Sequence, residues 1–166
     1  MREPLLALQE ILKDAVGDNT SPLYWIKKVY FGDPVVIPKS SCPALIVAPV
    51  SDEYTRRWSR YDMKTHNIEI RLVYNQKDYF GAEGEDAEKV AIVEDCVNKI
   101  GEVTNHSTDA LTVCWLVQQH PTLEYSWWYA AEDCRVASVA YELKEVRWFN
   151  TFEATVSVIV TVIGDR

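Results

Sequence analysis

Residues 66–75 read HNIEIRLVYN, and apolar side chains alternate with polar ones along this stretch. Successive side chains of an extended chain point to opposite sides, so one side of the segment is apolar and the other is polar. The apolar side carries Ile68, Ile70, Leu72 and Tyr74, and the polar side carries Asn67, Glu69 and Arg71. The pattern predicts a half-buried strand.

Residues 151–166, with the sequence TFEATVSVIVTVIGDR, alternate in the same way. The apolar positions from Phe152 to Val162 are mostly β-branched, which favours a strand packed under helices. Thr and Ser fill most of the alternate positions and predict a partly exposed second side. Residues 135–143 alternate too, with Val136 and Ser138 predicted on one side and Ala137 and Val139 on the other.

Upstream, residues 29–49 read VYFGDPVVIPKSSCPALIVAP. We expect strands at 26–31 and 44–50, both short enough for antiparallel partners. Pro34, Pro38 and Pro43 lie between them, and each proline fixes one backbone dihedral and lacks an N–H donor. These prolines are therefore predicted to restrain the crossing between the two strands.

Two segments show the three- and four-residue spacing of amphipathic helices. The first runs from Pro4 to Val16 and ends at Gly17, and the second places its apolar positions between Val90 and Ile100 and ends at Gly101. Residues 111–118 are predicted to be a further strand. Together the segments predict a single α+β domain over residues 1–166, with a largely antiparallel β-sheet and two α-helices packed on one side.

The charge of the chain is negative, −8 at neutral pH. Residues 81–110 carry eight acidic residues and two lysines, and so supply most of this excess. Because phosphate binding relies on clustered Lys and Arg, a direct role in binding DNA is not expected. No apolar run reaches the length of a membrane span, so no membrane association is predicted either.

The sequence contains no nucleophile elbow, Walker loop, dinucleotide fingerprint or zinc-protease motif. Cys42 has no neighbouring His or Lys that would activate it, and the four cysteines are expected to be buried free thiols. His66 and His106 are interpreted as surface residues. The acidic residues between Glu83 and Glu88 do not match a calcium loop. We therefore predict no enzyme, and no catalytic, metal or cofactor site.

Two aromatic regions stand out as candidate contact surfaces. Residues 52–64, DEYTRRWSRYDMK, have no clear period and are predicted to be a long exposed loop, and residues 126–129 read SWWY. Exposed aromatic and arginine side chains are enriched where proteins bind one another. The predicted interface residues are Tyr54, Arg56, Arg57, Trp58, Arg60, Tyr61, Trp127 and Trp128.

The order of these segments resembles the tail terminator or tail completion proteins of long-tailed bacteriophages. The short sequence motifs that carry the resemblance are Gly32-Asp33-Pro34, Ile37-Pro38 and Pro43-Ala44. The resemblance implies a homohexameric ring in the virion tail, assembled in the host cytoplasm. Such a ring caps the tail tube protein, ends its polymerisation, and offers a docking surface to the head-completion or connector protein. DNA would pass through the lumen without specific binding, which suits an acidic chain.

Three other functions remain open at the level of sequence. The chain could be a head–tail connector or stopper protein, or a binding module that uses Trp127 and Trp128 as a ligand platform. It could also be an enzyme whose site lacks any known motif.

Overall fold

The centre of the structure is a five-stranded mixed sheet with the strand order β1-β2-β3-β5-β4. The computed structural model describes residues 2–16, 23–34, 36–56, 61–75, 98, 100–101, 112–123, 131–146 and 149–165. The strands are β1 (Lys28–Phe31), β2 (Ala44–Arg56), β3 (Tyr61–Asn75), β4 (Asp133–Val146) and β5 (Phe149–Asp165). The helices are α1 (Arg2–Asp14) and α2 (Val113–Gln118), and a 3-10 turn covers Lys39–Ser41.

The predicted α+β class is confirmed, although strands dominate the described residues. Three of the strand pairings are antiparallel, but β1 and β2 run parallel, with Lys28 opposite Ala44. The expectation of an antiparallel partner is therefore confirmed for β2, which pairs with β3, and wrong for β1. Parallel neighbours need a crossover of about a dozen residues, and residues 32–43, with their prolines, supply it.

One face of the sheet is apolar along its whole central part. Ile70 and Leu72 of β3 and Val156 and Val158 of β5 are buried on this face, as their alternation predicts. They share one hydrophobic cluster with side chains of α1 and of α2. Along β5 the alternate Thr155, Ser157 and Thr161 are only partly exposed, which is also as predicted.

On the opposite face of the sheet, called the outer face below, the described residues form a buried cluster near β1. There Cys42, Ile46 and Val73 form a second buried cluster against Tyr30 and Ile37. The covering residues belong to β1 and the proline-containing crossover, so this segment closes one end of the outer face. The Arg71 guanidinium of β3 also donates to the Asp33 carboxylate of the crossover.

Residues 113–118 form a helix, so the predicted strand at 111–118 is wrong. Thr112 begins the helix, because its Oγ1 accepts a hydrogen bond from the Trp115 N–H at 3.1 Å. A threonine in this position satisfies a backbone donor that the first turn leaves without a partner. Short apolar runs suit buried helices as well as strands, and only the cap identifies this one as helical.

The prediction of which β4 side chains lie on the same face of the sheet is also wrong beyond Val136. A bulge at Ala137 lets Val136 pair with Val158 and Val139 pair with Val156. One inserted residue exchanges the sides of everything that follows it. As a result Val139, not Ser138, lies with Val136 against the main cluster.

The predicted helix before Gly101 is described only at its end, where Asn98 and Ile100 are helical. Gly101 has φ +83°, the left-handed conformation that commonly ends a helix. A Cβ at Gly101 would lie 2.5 Å from Thr112 Oγ1 and 2.8 Å from Thr112 Cβ. The end of this helix and the start of α2 therefore meet at a residue that has to be glycine.

We expect Gly101→Ala to destabilise the fold much more than Gly32→Ala. Gly32 also has positive φ, at +80°, but a Cβ there would meet nothing within 4 Å. Gly32→Ala should cost about 1–2 kcal/mol of backbone strain. Gly101→Ala should cost about 1–3 kcal/mol more because it overlaps Thr112. Urea unfolding of both variants measures the difference, and equal losses would contradict the close approach of Gly101 to Thr112.

Candidate functional site

The strongest candidate surface is a three-stranded extension of the sheet, here called the arm. It consists of residues 52–56 of β2, 61–66 of β3 and 161–165 of β5. β2 pairs with β3 as far as Arg56 opposite Asp62, and β3 pairs with β5 as far as Tyr61 opposite Asp165. Residues 52–56 and 61–64 are therefore strand, and the predicted long loop is wrong for them, while residues 57–60 lie outside the described residues.

The arm begins where the main cluster ends. His66 of β3 lies opposite Val160 of β5 and Asp52 of β2, and Val160 lies opposite Cys134 of β4. The pairing of β4 with β5 ends one residue later, at Asp133 opposite Thr161. Among the described residues of the arm beyond this row, none is a fully buried member of the main cluster.

His66 is buried, with 3% of its side chain exposed, so its interpretation as a surface residue is wrong. Its Nδ1–H donates to Asp52 Oδ1 over 2.8 Å. A buried polar group without a partner is costly, and this bond satisfies one imidazole nitrogen at the edge of the cluster. The pair also joins β2 to β3 through side chains at the base of the arm.

Both sides of the arm expose apolar side chains. Tyr54 is 57% exposed and lies opposite Lys64, which in turn lies opposite Val162. On the other side Met63 lies opposite Ile163, which is 41% exposed. A three-stranded sheet needs a packed face to be stable, and among the described apolar side chains of the arm only Val162 packs against the main cluster.

The outer edge of β2 is poorly suited to pairing with another strand. β1 covers β2 only from Ala44 to Val47. The uncovered part carries Pro49, a bulge at Val50, and the charged Asp52 and Glu53. These are the features by which proteins protect sheet edges. A partner would therefore contact the sides and the tip of the arm.

The predicted interface residues divide into three groups. Tyr54 is exposed on the arm, and the backbones of Arg56 and Tyr61 lie in its strands. Arg57, Trp58 and Arg60 lie outside the described residues, between the ends of β2 and β3. Trp127 and Trp128 also lie outside them, so their predicted role stays a prediction.

Sequence reasoning missed Val162 and Ile163 as members of this surface. The predicted apolar side of 151–166 includes Val162, but nothing in the sequence indicates which strand lies beside it. Only the pairing of β5 with β3 shows that this end of the strand lies in the arm.

Among the described residues no group of three or more His, Cys, Asp and Glu is arranged to hold a metal ion. Cys42, Cys114 and Cys134 are buried and not in disulfides, as predicted, while Cys96 lies outside the described residues. Burial raises the pKa of Cys114 to about 12, and burial together with the charge of Asp133 raises the pKa of Cys134 to about 12.

No known family profile matches the chain, and no curated protein matches its sequence. Within the part of the chain that the structure describes, no helix has the length and apolarity needed to cross a membrane.

Cys114 and Cys134 should resist alkylation by iodoacetamide at pH 8 in the folded protein. A pKa near 12 in place of 9.0 leaves roughly a thousandfold less thiolate. Mass spectrometry of labelled peptides, with urea-unfolded protein as the control, measures each site separately. Because the folded-state pKa is raised, these thiols should weaken the fold only as the pH rises above about 9, where the unfolded thiols ionise first. Rapid labelling without unfolding would contradict their burial.

Proposed function

We propose that this protein is a structural phage assembly protein, a tail terminator. Copies of the chain form a ring, six in number by the family resemblance, that caps the tail tube, ends its growth and presents a surface to the head connector. The arm forms a subunit or tube contact. In this proposal both helices lie on one side of the sheet, which the shared cluster of α1, α2 and the sheet supports.

The observation that carries the proposal is the exposure of apolar side chains on both sides of the arm. A strand extension with Tyr54 on one side and Ile163 on the other loses apolar burial unless another chain covers it. A ring closed by one repeated contact needs two different patches on each subunit. The arm supplies a patch that projects from the core and can reach a neighbour.

The outer face of the sheet has the properties expected of a DNA-conducting lumen. Glu69 of β3 and Glu142 of β4 lie on it among serine and threonine side chains such as Ser157. Its two described arginines have acidic neighbours, with Arg71 bonded to Asp33 and Arg135 Nε 3.8 Å from Asp133 Oδ2. Like charge keeps DNA from adhering to such a face.

Electron microscopy of the purified protein, with light scattering over a range of concentrations, tests the ring directly. Closed rings of uniform size support the proposal. A monomer at millimolar concentration, both alone and with purified tail tubes, would overturn it. Deleting the gene from the phage distinguishes a terminator from a connector, because only loss of a terminator should produce tails of abnormal length.

Tyr54→Ala should weaken assembly, and Tyr24→Ala should leave it unchanged. The two tyrosines are similarly exposed, at 57% and 52%, but only Tyr54 lies on the arm. Truncating a buried interface tyrosine costs about 2 kcal/mol or more, which is roughly thirtyfold in the concentration at which rings dissociate. Analytical ultracentrifugation measures both variants. If rings of both variants dissociate at the same concentration, the Tyr54 side of the arm is not part of the interface.

A further inference from the structure

We propose that the open edge of β4 pairs with the same edge of a second copy of the chain. The two copies are related by a twofold axis at Val139, and their five-stranded sheets join into one continuous sheet. A twofold contact closes on itself and forms a dimer. It is therefore separate from the repeated contact of the ring and does not rest on the proposed function.

β4 forms the longer of the two edges of the sheet. It pairs with β5 on one side, and within the described part of the chain no strand pairs with its other side. From Ala137 to Glu142 every side chain is exposed except that of Val139, which is half-buried. The opposite edge, β1, offers only the four residues Lys28–Phe31. An open row of backbone N–H and C=O groups is a template for another strand.

The irregularity of β4 is compatible with this pairing. A bulge commonly hinders the pairing of an edge, because it moves the residues that follow it to the other face. Under a twofold axis at Val139 the bulges of the two copies lie on opposite sides of the axis and at equal distances from it. Ala137 and Ser138 of one copy then lie together opposite Ala140 of the other. Residues that face the same side of the sheet therefore meet along the whole contact.

On the face of the main cluster this register joins apolar side chains. Val139 lies opposite Val139 of the second copy, and Tyr141 lies opposite Val136 of the second copy. In the single chain Tyr141 is 40% exposed, although Ala154, its neighbour on β5, is fully buried. Pairs of aromatic and β-branched side chains across two strands stabilise a sheet. The contact thus covers a ring that the single chain leaves exposed.

On the outer face the same register joins opposite charges. Arg135 of each copy lies opposite Glu142 of the other, so the dimer contains two such pairs. Arg135 is 66% exposed, with its Nε 3.8 Å from Asp133 Oδ2, and Glu142 is exposed as well. Opposite charges directly across an antiparallel pair stabilise it, and like charges destabilise it. A register shift of two residues separates both pairs, so the charges favour the axis at Val139.

The contact leaves the arm accessible. β4 pairs with β5 only as far as Asp133 opposite Thr161, whereas β5 continues in the arm to Asp165. Because the second copy runs antiparallel to the first, the two arms extend from opposite ends of the joined sheet. The dimer and the arm contact can therefore be tested separately.

Oxidative cross-linking tests the position of the axis. Val139→Cys should form a disulfide between two copies, because Cα atoms directly opposite on antiparallel strands are about 4.5–5.5 Å apart. Ala140→Cys is the matched control, since the two copies of this residue would be about 8 Å apart, beyond the reach of a disulfide. Mass spectrometry identifies the linked residues. Equal linking at both positions, or at neither, would overturn the inference.

Charge reversal tests the register. Arg135→Glu and Glu142→Arg should each raise the dissociation constant of the dimer by about tenfold, because each puts like charges opposite one another at both pairs. An equimolar mixture of the two variants should dimerise again, since both pairs between unlike copies then have opposite charges. Lys27→Glu, the same reversal at an exposed lysine outside β4, is the control and should dimerise as the unaltered protein does. Analytical ultracentrifugation measures each sample, and a mixture that stays dissociated would contradict the register.

Hydrogen exchange of the unaltered protein covers the case in which a variant fails to fold. Backbone amides in residues 137–141 should exchange more slowly as the protein concentration rises, because pairing protects those at the open edge. Exchange that does not depend on concentration would overturn the dimer, and is the result expected if the edge instead binds a strand of another protein.

The outcomes separate this inference from the proposed function. Tyr54→Ala, which should weaken the ring, should leave the cross-link at Val139→Cys unchanged. If rings form and position 139 does not cross-link, the β4 dimer is wrong while the ring stands. If position 139 cross-links and no ring forms on its own or on tail tubes, the dimer stands and the proposed function falls.

Discussion

The pairing of β3 with β5 is the constraint on which the rest of the structure depends. The two strands pair from Tyr61 opposite Asp165 to Asn75 opposite Thr151 without a shift in register. Because side chains repeat every two residues, an uninterrupted register keeps the buried Ile68, Ile70 and Leu72 of β3 on the same side as the alternate apolar residues of β5 from Ala154 to Val160. α1, α2 and the remaining strands then pack against or beside this pair, and both bulges occur in the outer pairings, β2 with β3 and β4 with β5.

The same uninterrupted pairing produces the arm. The fully buried part of the main cluster ends at the row of His66 and Val160, with Val162 packed against it from beyond that row, yet the backbone pairing of β3 and β5 continues to the end of both strands. Backbone pairing does not require apolar side chains, so the ladder extends past its core and carries β2 with it. The His66–Asp52 hydrogen bond lies at this transition and satisfies the last buried polar group before the exposed part. The continuous pairing of β3 with β5 thus produces the arm, a part of the sheet that extends beyond the fully buried core.

The two faces of the sheet differ in their chemistry. Apolar side chains shared with α1 and α2 hold one face together, and the described part of the outer face carries acidic and hydroxyl side chains beyond the crossover. In the proposed function, contacts with other chains are made by the arm, at the end of the sheet. This separation is consistent with a subunit that conducts DNA past one face while binding its neighbours through another part, as proposed for a ring.

The sequence alone determined the central strands, because a two-residue period is a local property and the apolar faces of β3 and β5 lie where it predicts them. It also identified the first helix, the glycine at 101 and the aromatic, arginine-rich region around Tyr54. It could not determine the helix at 113–118, where a short apolar run has no decisive period, or the parallel pairing of β1 with β2. The strands of the arm follow only from the tertiary structure, because they depend on pairing between segments that are distant in sequence. Residues 52–56 and 61–64 show no apolar period, and their strands extend past the fully buried part of the main cluster because the pairing with β3 and β5 continues there.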